Sequence, residues 1–232
     1  MFIALGILLV CAGTVLIWFG IPYSPLRQQF LRDASARKMN SMPQTGEVFT
    51  ESDFENLPGT IWKYINHCGY IGKHKMTYMR MDFKNVSFMM ERKGPAVRID
   101  YIQYNFAKYP ARLALTSSSL YGIPFNGYDY YLDGKGGMKV VIGKAILLAH
   151  QTGDEMNKAC LVSYLGDCLF IPASIAKNNI TFAEISEREI KATIVNPDLA
   201  GLTISVSGIL SFNESGERNY VPNTSSSNLE LR

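Results

Sequence analysis

Residues 97–142, VRIDYIQYNFAKYPARLALTSSSLYGIPFNGYDYYLDGKGGMKVVI, decide the fold. β-Branched and aromatic side chains recur there in short runs with partial alternation, and Gly, Pro and Asn cluster between the runs. Segments 97–106, 112–117, 127–132 and 138–142 read as antiparallel strands. Asp133-Gly134-Lys135-Gly136-Gly137 reads as a turn, because glycine takes positive φ without steric penalty. The same texture extends upstream, where 76–83 and 86–91 are rich in Met, Phe and Val on either side of Lys84-Asn85. Six strands with short links make a meander. The expected class is therefore α+β: a curved antiparallel sheet, an open half-barrel, covered by one or two helices.

Two helices suit that cover. One begins behind Leu57-Pro58-Gly59, with Pro58 fitted to a first turn, Ile61, Trp62, Tyr64, Ile65 and Cys68 as its apolar positions and Gly69 just past its end. The other follows Thr152-Gly153-Asp154-Glu155, which matches a capping box, and carries Met156, Ala159, Cys160, Val162, Leu165 and Leu169 before Pro172 stops it. Strands resume at 180–185, 189–195 and 202–212. From Asn223 the chain is Ser/Asn-rich, a composition that predicts disorder.

Residues 1–21, MFIALGILLVCAGTVLIWFGI, contain no charged side chain. A helix over 2–21 would be about 30 Å long, the hydrocarbon thickness of a bilayer. A cleaved signal peptide fits poorly, since there is no basic n-region and no Ala-x-Ala site. Arg27, Arg32, Arg37 and Lys38 crowd the far side of the span, so the positive-inside rule predicts a single-pass protein with a cytoplasmic C-terminal domain. Trp18 and Tyr23 suit the interfacial aromatic belt. Segment 24–39 carries Leu26, Phe30, Leu31 and Ala34 among basic residues, a pattern open to a membrane-surface helix or a solvated linker. The expected organisation is a transmembrane helix at 2–21, a basic juxtamembrane connector at 22–53, an α+β domain at 54–221 and a tail at 222–232.

Net charge is only +3, and the excess lies beside the membrane, where anionic headgroups explain it; no nucleic-acid partner is implied. His67, His74 and His150 are too scattered for a metal-ligand spacing, and no CxxC occurs, so neither a metal nor a cofactor is expected. Gly69-Tyr70-Ile71-Gly72-Lys73 lacks the Walker spacing and reads as a helix-to-strand turn. Cys160 and Cys168 fall at helical positions that bury thiols and keep them inert. No catalytic set stands out. Asp167, near the end of an apolar helix, needs a cationic partner such as Arg112 or Arg98 if buried.

The order Gly69-Tyr70-Ile71-Gly72-Lys73, Tyr104-Asn105-Phe106…Pro110-Ala111-Arg112, Tyr121-Gly122-Ile123-Pro124, Tyr131-Leu132-Asp133-Gly134-Lys135-Gly136-Gly137-Met138 and Leu161-Val162-Ser163-Tyr164-Leu165-Gly166-Asp167…Pro172 resembles a bacterial family of unknown function. Its members look like single-anchor membrane proteins. The resemblance runs from about 54 to 217; the family pattern continues into Arg- and Trp-containing segments that this chain lacks, which puts closing strands in doubt. The half-barrel is also similar to lipoprotein-carrier folds.

With 13 Tyr and 10 Met, many of them on the strands, the sheet offers adaptable apolar walls. The leading expectation is a non-enzymatic carrier or binding domain for a lipid, an acyl chain or a lipidated peptide, with Tyr101, Tyr104, Arg112, Asp133, Met138 and Asp167 as ligand-binding candidates. A membrane-tethered scaffold for an unknown protein partner is the alternative. A cell-envelope enzyme would need Asp133, Asp167 and Arg112 in one cleft.

Overall fold

A computed structural model describes residues 2–41, 46–89, 96–177, 179–197 and 203–219. The expected disordered tail lies outside them. Two antiparallel sheets and several helices make an α+β fold, and the larger sheet curls into a half-barrel. That sheet runs in chain order through β1 (Tyr78–Met89), β2 (Ala96–Phe106), β3 (Ala111–Leu120), β4 (Ile123–Leu132), β5 (Lys135–Ile142) and β6 (Ile146–Thr152). The break at Lys84-Asn85 is a bulge within one strand, between Phe83 and Val86, and not a turn between two. Asn85 takes φ 52 there, which Asn tolerates better than most residues.

The glycine run at 133–137 also divides differently. Only Asp133 and Gly134 form the turn, with φ 51 and 79, the two-residue geometry that matches strand twist. Gly136 and Gly137 belong to β5, where the reason for glycine is close packing. A Cβ on Gly136 would stand 2.5 Å from the Met156 carbonyl oxygen and 2.8 Å from the Cys160 Cβ, and one on Gly137 would strike the Tyr130 ring.

Helix α1 (Phe2–Gly20) has no buried residue, whereas α2 (Pro25–Asn40) buries Leu26, Phe30 and Ala34. The segment open to a surface helix or a linker is thus a helix seated on the sheet. Its i, i+4 apolar stripe packs against Tyr104, Phe106, Leu113, Leu115 and Tyr128, and Phe30 lies edge-on to Tyr128. Asp33 accepts a 2.7 Å hydrogen bond from the Tyr128 hydroxyl.

Helix α3 (Gly59–His67) buries Ile61, Tyr64 and Ile65, while Cys68 at its end is exposed. Gly69 and Gly72 both take positive φ, and Gly72 N–H donates to the Phe49 carbonyl at 2.8 Å; this is the turn expected from the sequence. Helix α4 (Asp154–Gly166) starts without the capping box. Thr152 is still paired in β6 opposite Gly137, Gly153 is the N-cap at φ 110, and Glu155 reaches Lys158 instead.

The second sheet has the order β10 (Arg218–Asn219), β9 (Thr203–Phe212), β8 (Glu189–Pro197), β7 (Ile180–Ser186). Along β8, Ile190, Ala192 and Ile194 are buried while Glu189, Lys191 and Val195 are exposed, the period of two that a one-sided sheet requires. Helix α4 lies between β5 of the large sheet and β9 of the small one. Tyr164 anchors it by donating to the Phe106 carbonyl at 2.9 Å. Short helix α5 (Ala173–Lys177) then leads into β7.

Candidate functional site

Strand register sorts the large sheet into two faces. On the α2 face stand Tyr104, Phe106, Leu113 and Tyr128, all buried. The α4 face is built of rows across the strands. Its lowest row, Asn105–Arg112–Tyr131–Gly136, lies under α4. Above it run Gln103–Ala114–Asp129–Met138, then Phe83–Tyr101–Thr116–Gly127–Val140, then Ser118–Phe125–Ile142.

The two lower rows hold a polar cluster. Asp167 Oδ2 accepts from Gln103 Nε2 at 2.6 Å, Asn105 Nδ2 at 3.2 Å and Arg112 Nε at 3.4 Å. Arg112 Nη2 donates to the Tyr101 hydroxyl at 2.5 Å and to Gln103 Oε1 at 3.1 Å, and the Tyr101 hydroxyl donates to Gln103 Oε1 at 2.7 Å. Asp129 stands 3.9 Å from Arg112 Nη1. Arg112 and Asp167 are largely buried while Asp129 is half-exposed, so the cluster opens upward at Asp129. Desolvation raises the Asp129 carboxyl above the usual range, opposed by Arg112. For Arg112, desolvation pulls against its charge, but Tyr101, Asp167 and Asp129 together hold its pKa up. Such a site can fix a polar group by hydrogen bonding; it shows no nucleophile activated by a base. Burial pushes the Cys160 thiol up to about 11 and the Cys168 thiol up to about 12, so both are protonated at neutral pH.

Among the sequence candidates, Tyr101, Arg112 and Asp167 meet in this cluster, and Met138 sits beside it as the partner of Asp129. Tyr104 does not: its ring is on the opposite face, 5.9 Å from Phe30. Asp133 is at the tip of the β4–β5 hairpin, ion-paired with Arg37 of α2. The trio Asp133, Asp167 and Arg112 therefore does not form one cluster, because α2 draws Asp133 away. Gln103 and Asn105 are not among the binding candidates the sequence offers, and Asp129, four positions from Asp133 on one strand and too far from it for a shared proton, pairs with Arg112 instead. The signal for Gln103 and Asn105 is a polar residue at every second position of β2, alternating with Ile102, Tyr104 and Phe106 on the other side.

Above the cluster the face turns apolar and stays partly open. Phe83 is 43 % and Phe88 48 % exposed, and Val86, Phe125, Val140 and Ile142 are half-buried. The profile of a family of unknown function, DUF6544, matches residues 47–221, a span that contains both sheets and the whole cluster. The chain belongs to this family. No curated protein and no solved structure matches it. The DUF6544 match begins after α2, so α1 and α2 precede the matched region.

The upper rows lead toward α1. At the β5–β6 turn, Lys144 Nζ donates to the carbonyls of Trp18 at 2.5 Å, Phe19 at 3.0 Å and Ile21 at 2.5 Å, and Trp18 Nε1 donates to the Gly143 carbonyl at 3.2 Å. A cation on the last carbonyls of a helix satisfies groups that have no partner within it and complements the helix dipole. A pocket of about 550 Å³ lies beside this joint, lined by Trp18, Leu26, Arg32, Val141 and Lys144 among others.

Proposed function

We propose that this DUF6544 protein is a membrane-anchored binding domain that holds an acyl chain drawn from the bilayer on the upper rows of its α4 face. The observation that carries the reading is the gradient along that face. Phe83, Phe125, Val140 and Ile142, with the small Thr116, Ser118 and Gly127 between them, lie toward the end where α1 joins, and the Arg112–Asp129–Asp167 cluster lies at the far end. An amphiphile leaving the membrane meets apolar wall first and a hydrogen-bonding floor last, the arrangement that orients a chain with a polar end. Helix α1 is apolar and long enough to span a membrane, and it supplies the lipid source.

Phe125 sits among the apolar rows and is only half-buried, so Phe125→Glu places a charge there at small cost to the core. The detergent-solubilised full chain should give a saturable rise in cis-parinaric acid emission that Phe125→Glu reduces about tenfold in affinity, a difference of about 1.4 kcal/mol. Equal titrations for the two proteins, both with native circular dichroism, would overturn the reading. The four basic residues Arg27, Arg32, Arg37 and Lys38 after α1 support a cytoplasmic placement of the domain. Protease added outside intact cells should then leave residues 46–53 uncut; cleavage there would put the domain on the other side.

A further inference from the structure

We infer that the upper end of the large sheet is itself a membrane-contact surface, with the β3–β4 and β5–β6 hairpin tips seated in the interface of the bilayer that α1 spans. This rests on the reading of α1 as an anchor and adds where the domain touches the lipid. The β3–β4 tip is Leu120-Tyr121-Gly122-Ile123, and Tyr121 is 97 % exposed. Its backbone holds φ 52, a left-handed conformation that is strained for a bulky residue and clusters at functional positions. An aromatic held fully outward at a hairpin tip suits the headgroup level, where amphipathic rings partition.

The adjacent hairpin supplies a second, independent observation. Ile146, Leu147 and Leu148 follow one another on the edge strand β6 at 64, 55 and 59 % exposure. Ile146 and Leu147 point to opposite faces and Leu148 is the extra residue of a bulge between Leu147 and Ala149, so three exposed apolar residues in a row suit neither a core nor a water-facing surface. On an unpaired edge they would promote aggregation unless something covers them.

Continuity identifies the cover. Lys144 and Gly143 of this same hairpin bind the end of α1, so the bilayer that receives α1 lies against these tips. Lys144 is buried, which leaves no exposed charge on either turn; at the opposite end of the sheet, the tips carry exposed Lys108, Asp133 and Lys135. These two tips are thus apolar while the tips at the opposite end of the sheet are charged, the polarity that a membrane-facing pair of hairpins requires.

The full chain in phosphatidylcholine/phosphatidylglycerol nanodiscs tests this with the fluorophore NBD on single cysteines. In a Cys11→Ser, Cys68→Ser background, Tyr121→Cys and Leu147→Cys report the tips and Lys108→Cys the far end. Cys11 labelled in a Cys68→Ser chain reports the anchor. Lipid carrying a nitroxide near the top of its acyl chain should quench most of the emission at 121 and 147, and mid-chain nitroxide that at 11, while 108 keeps its emission and remains open to iodide. Quenching at 11 with 121 and 147 as iodide-accessible as 108 overturns the tip contact and leaves the anchor standing. Absence of quenching at 11 overturns the anchor reading, and this inference with it.

Discussion

Arg112→Ala is expected to destabilise the domain by about 3–5 kcal/mol, the cost of removing one partner from a buried ion pair. Asp167 would keep Gln103 and Asn105 as donors but lose the one cation that stands within 4 Å of it among the described residues. Two neutral amide donors offset only part of the desolvation of a buried carboxylate. Tyr101 and Gln103 would lose a charged donor in the same step. Against a typical stability of about 5–15 kcal/mol, the loss shows as a large drop in the urea midpoint. The double replacement Arg112→Met, Asp167→Leu removes both charges and should recover part of the loss, although Gln103 and Asn105 then lose acceptors. If Arg112→Ala leaves the unfolding free energy within about 0.5 kcal/mol of the parent, the cluster is a solvated surface network. Asp129→Asn gives an internal comparison: Asp129 is 3.9 Å from Arg112 and its side chain 40 % exposed, so that substitution should cost under about 1 kcal/mol.

That cluster shows what the sequence reveals and what it hides. A carboxylate at the end of an apolar helix needs a cation, and that argument leads from Asp167 to Arg112 or Arg98 without coordinates; the structure selects Arg112. It does not lead to Gln103 or Asn105, because alternate polar residues on a strand ordinarily mark its water-facing side. On β2 both sides are covered, one by α2 and one by α4, and only the strand register shows it. Tyr104 and Tyr101 illustrate the same limit. They are three positions apart, hence on opposite faces, but composition alone treats both as apolar wall.

Local chemistry misled at three places for a common reason. Lys84-Asn85 has turn composition, yet β2 continues to pair on both sides of it, so the chain bulges. Thr152-Gly153-Asp154-Glu155 has capping-box spacing, yet Thr152 is committed to the β6 ladder, so Gly153 turns the corner. Gly136 and Gly137 resemble turn glycines but serve the approach of α4 and the Tyr130 ring. In each case a tertiary partner overrides a propensity worth about 1 kcal/mol or less. Strand β6 is not legible in the sequence because Ile146-Leu147-Leu148 has no alternation, the same property that makes it exceptional on the surface.

Phe30→Ala should also cost about 3–5 kcal/mol, the range for truncating a fully buried aromatic. The ring of Phe30 has no exposed surface and fills the space between Tyr104 at 5.9 Å and Tyr128 at 5.8 Å. Its neighbours cannot collapse into the void, since Tyr104 and Tyr128 are fixed to a sheet and Tyr128 is held further by Asp33. The loss therefore falls on the docking of α2. Only Leu26 and Ala34 accompany Phe30 in its buried stripe, and the Arg37–Asp133 pair at the far end has Asp133 half-exposed. Hydrogen exchange along residues 25–40 should accelerate more than in β8, whose buried Ile190, Ala192 and Ile194 face a separate core. Uniform acceleration would show that α2 and both sheets unfold as one unit. Because α2 joins the end of α1 to the α2 face of the large sheet, its release leaves Lys144 and Trp18 as the remaining link between α1 and the domain. If the proposed membrane-anchored, acyl-binding reading holds, Tyr121 would then lose its fixed height relative to the bilayer, and acyl-chain binding should weaken even though no residue on the α4 face has changed.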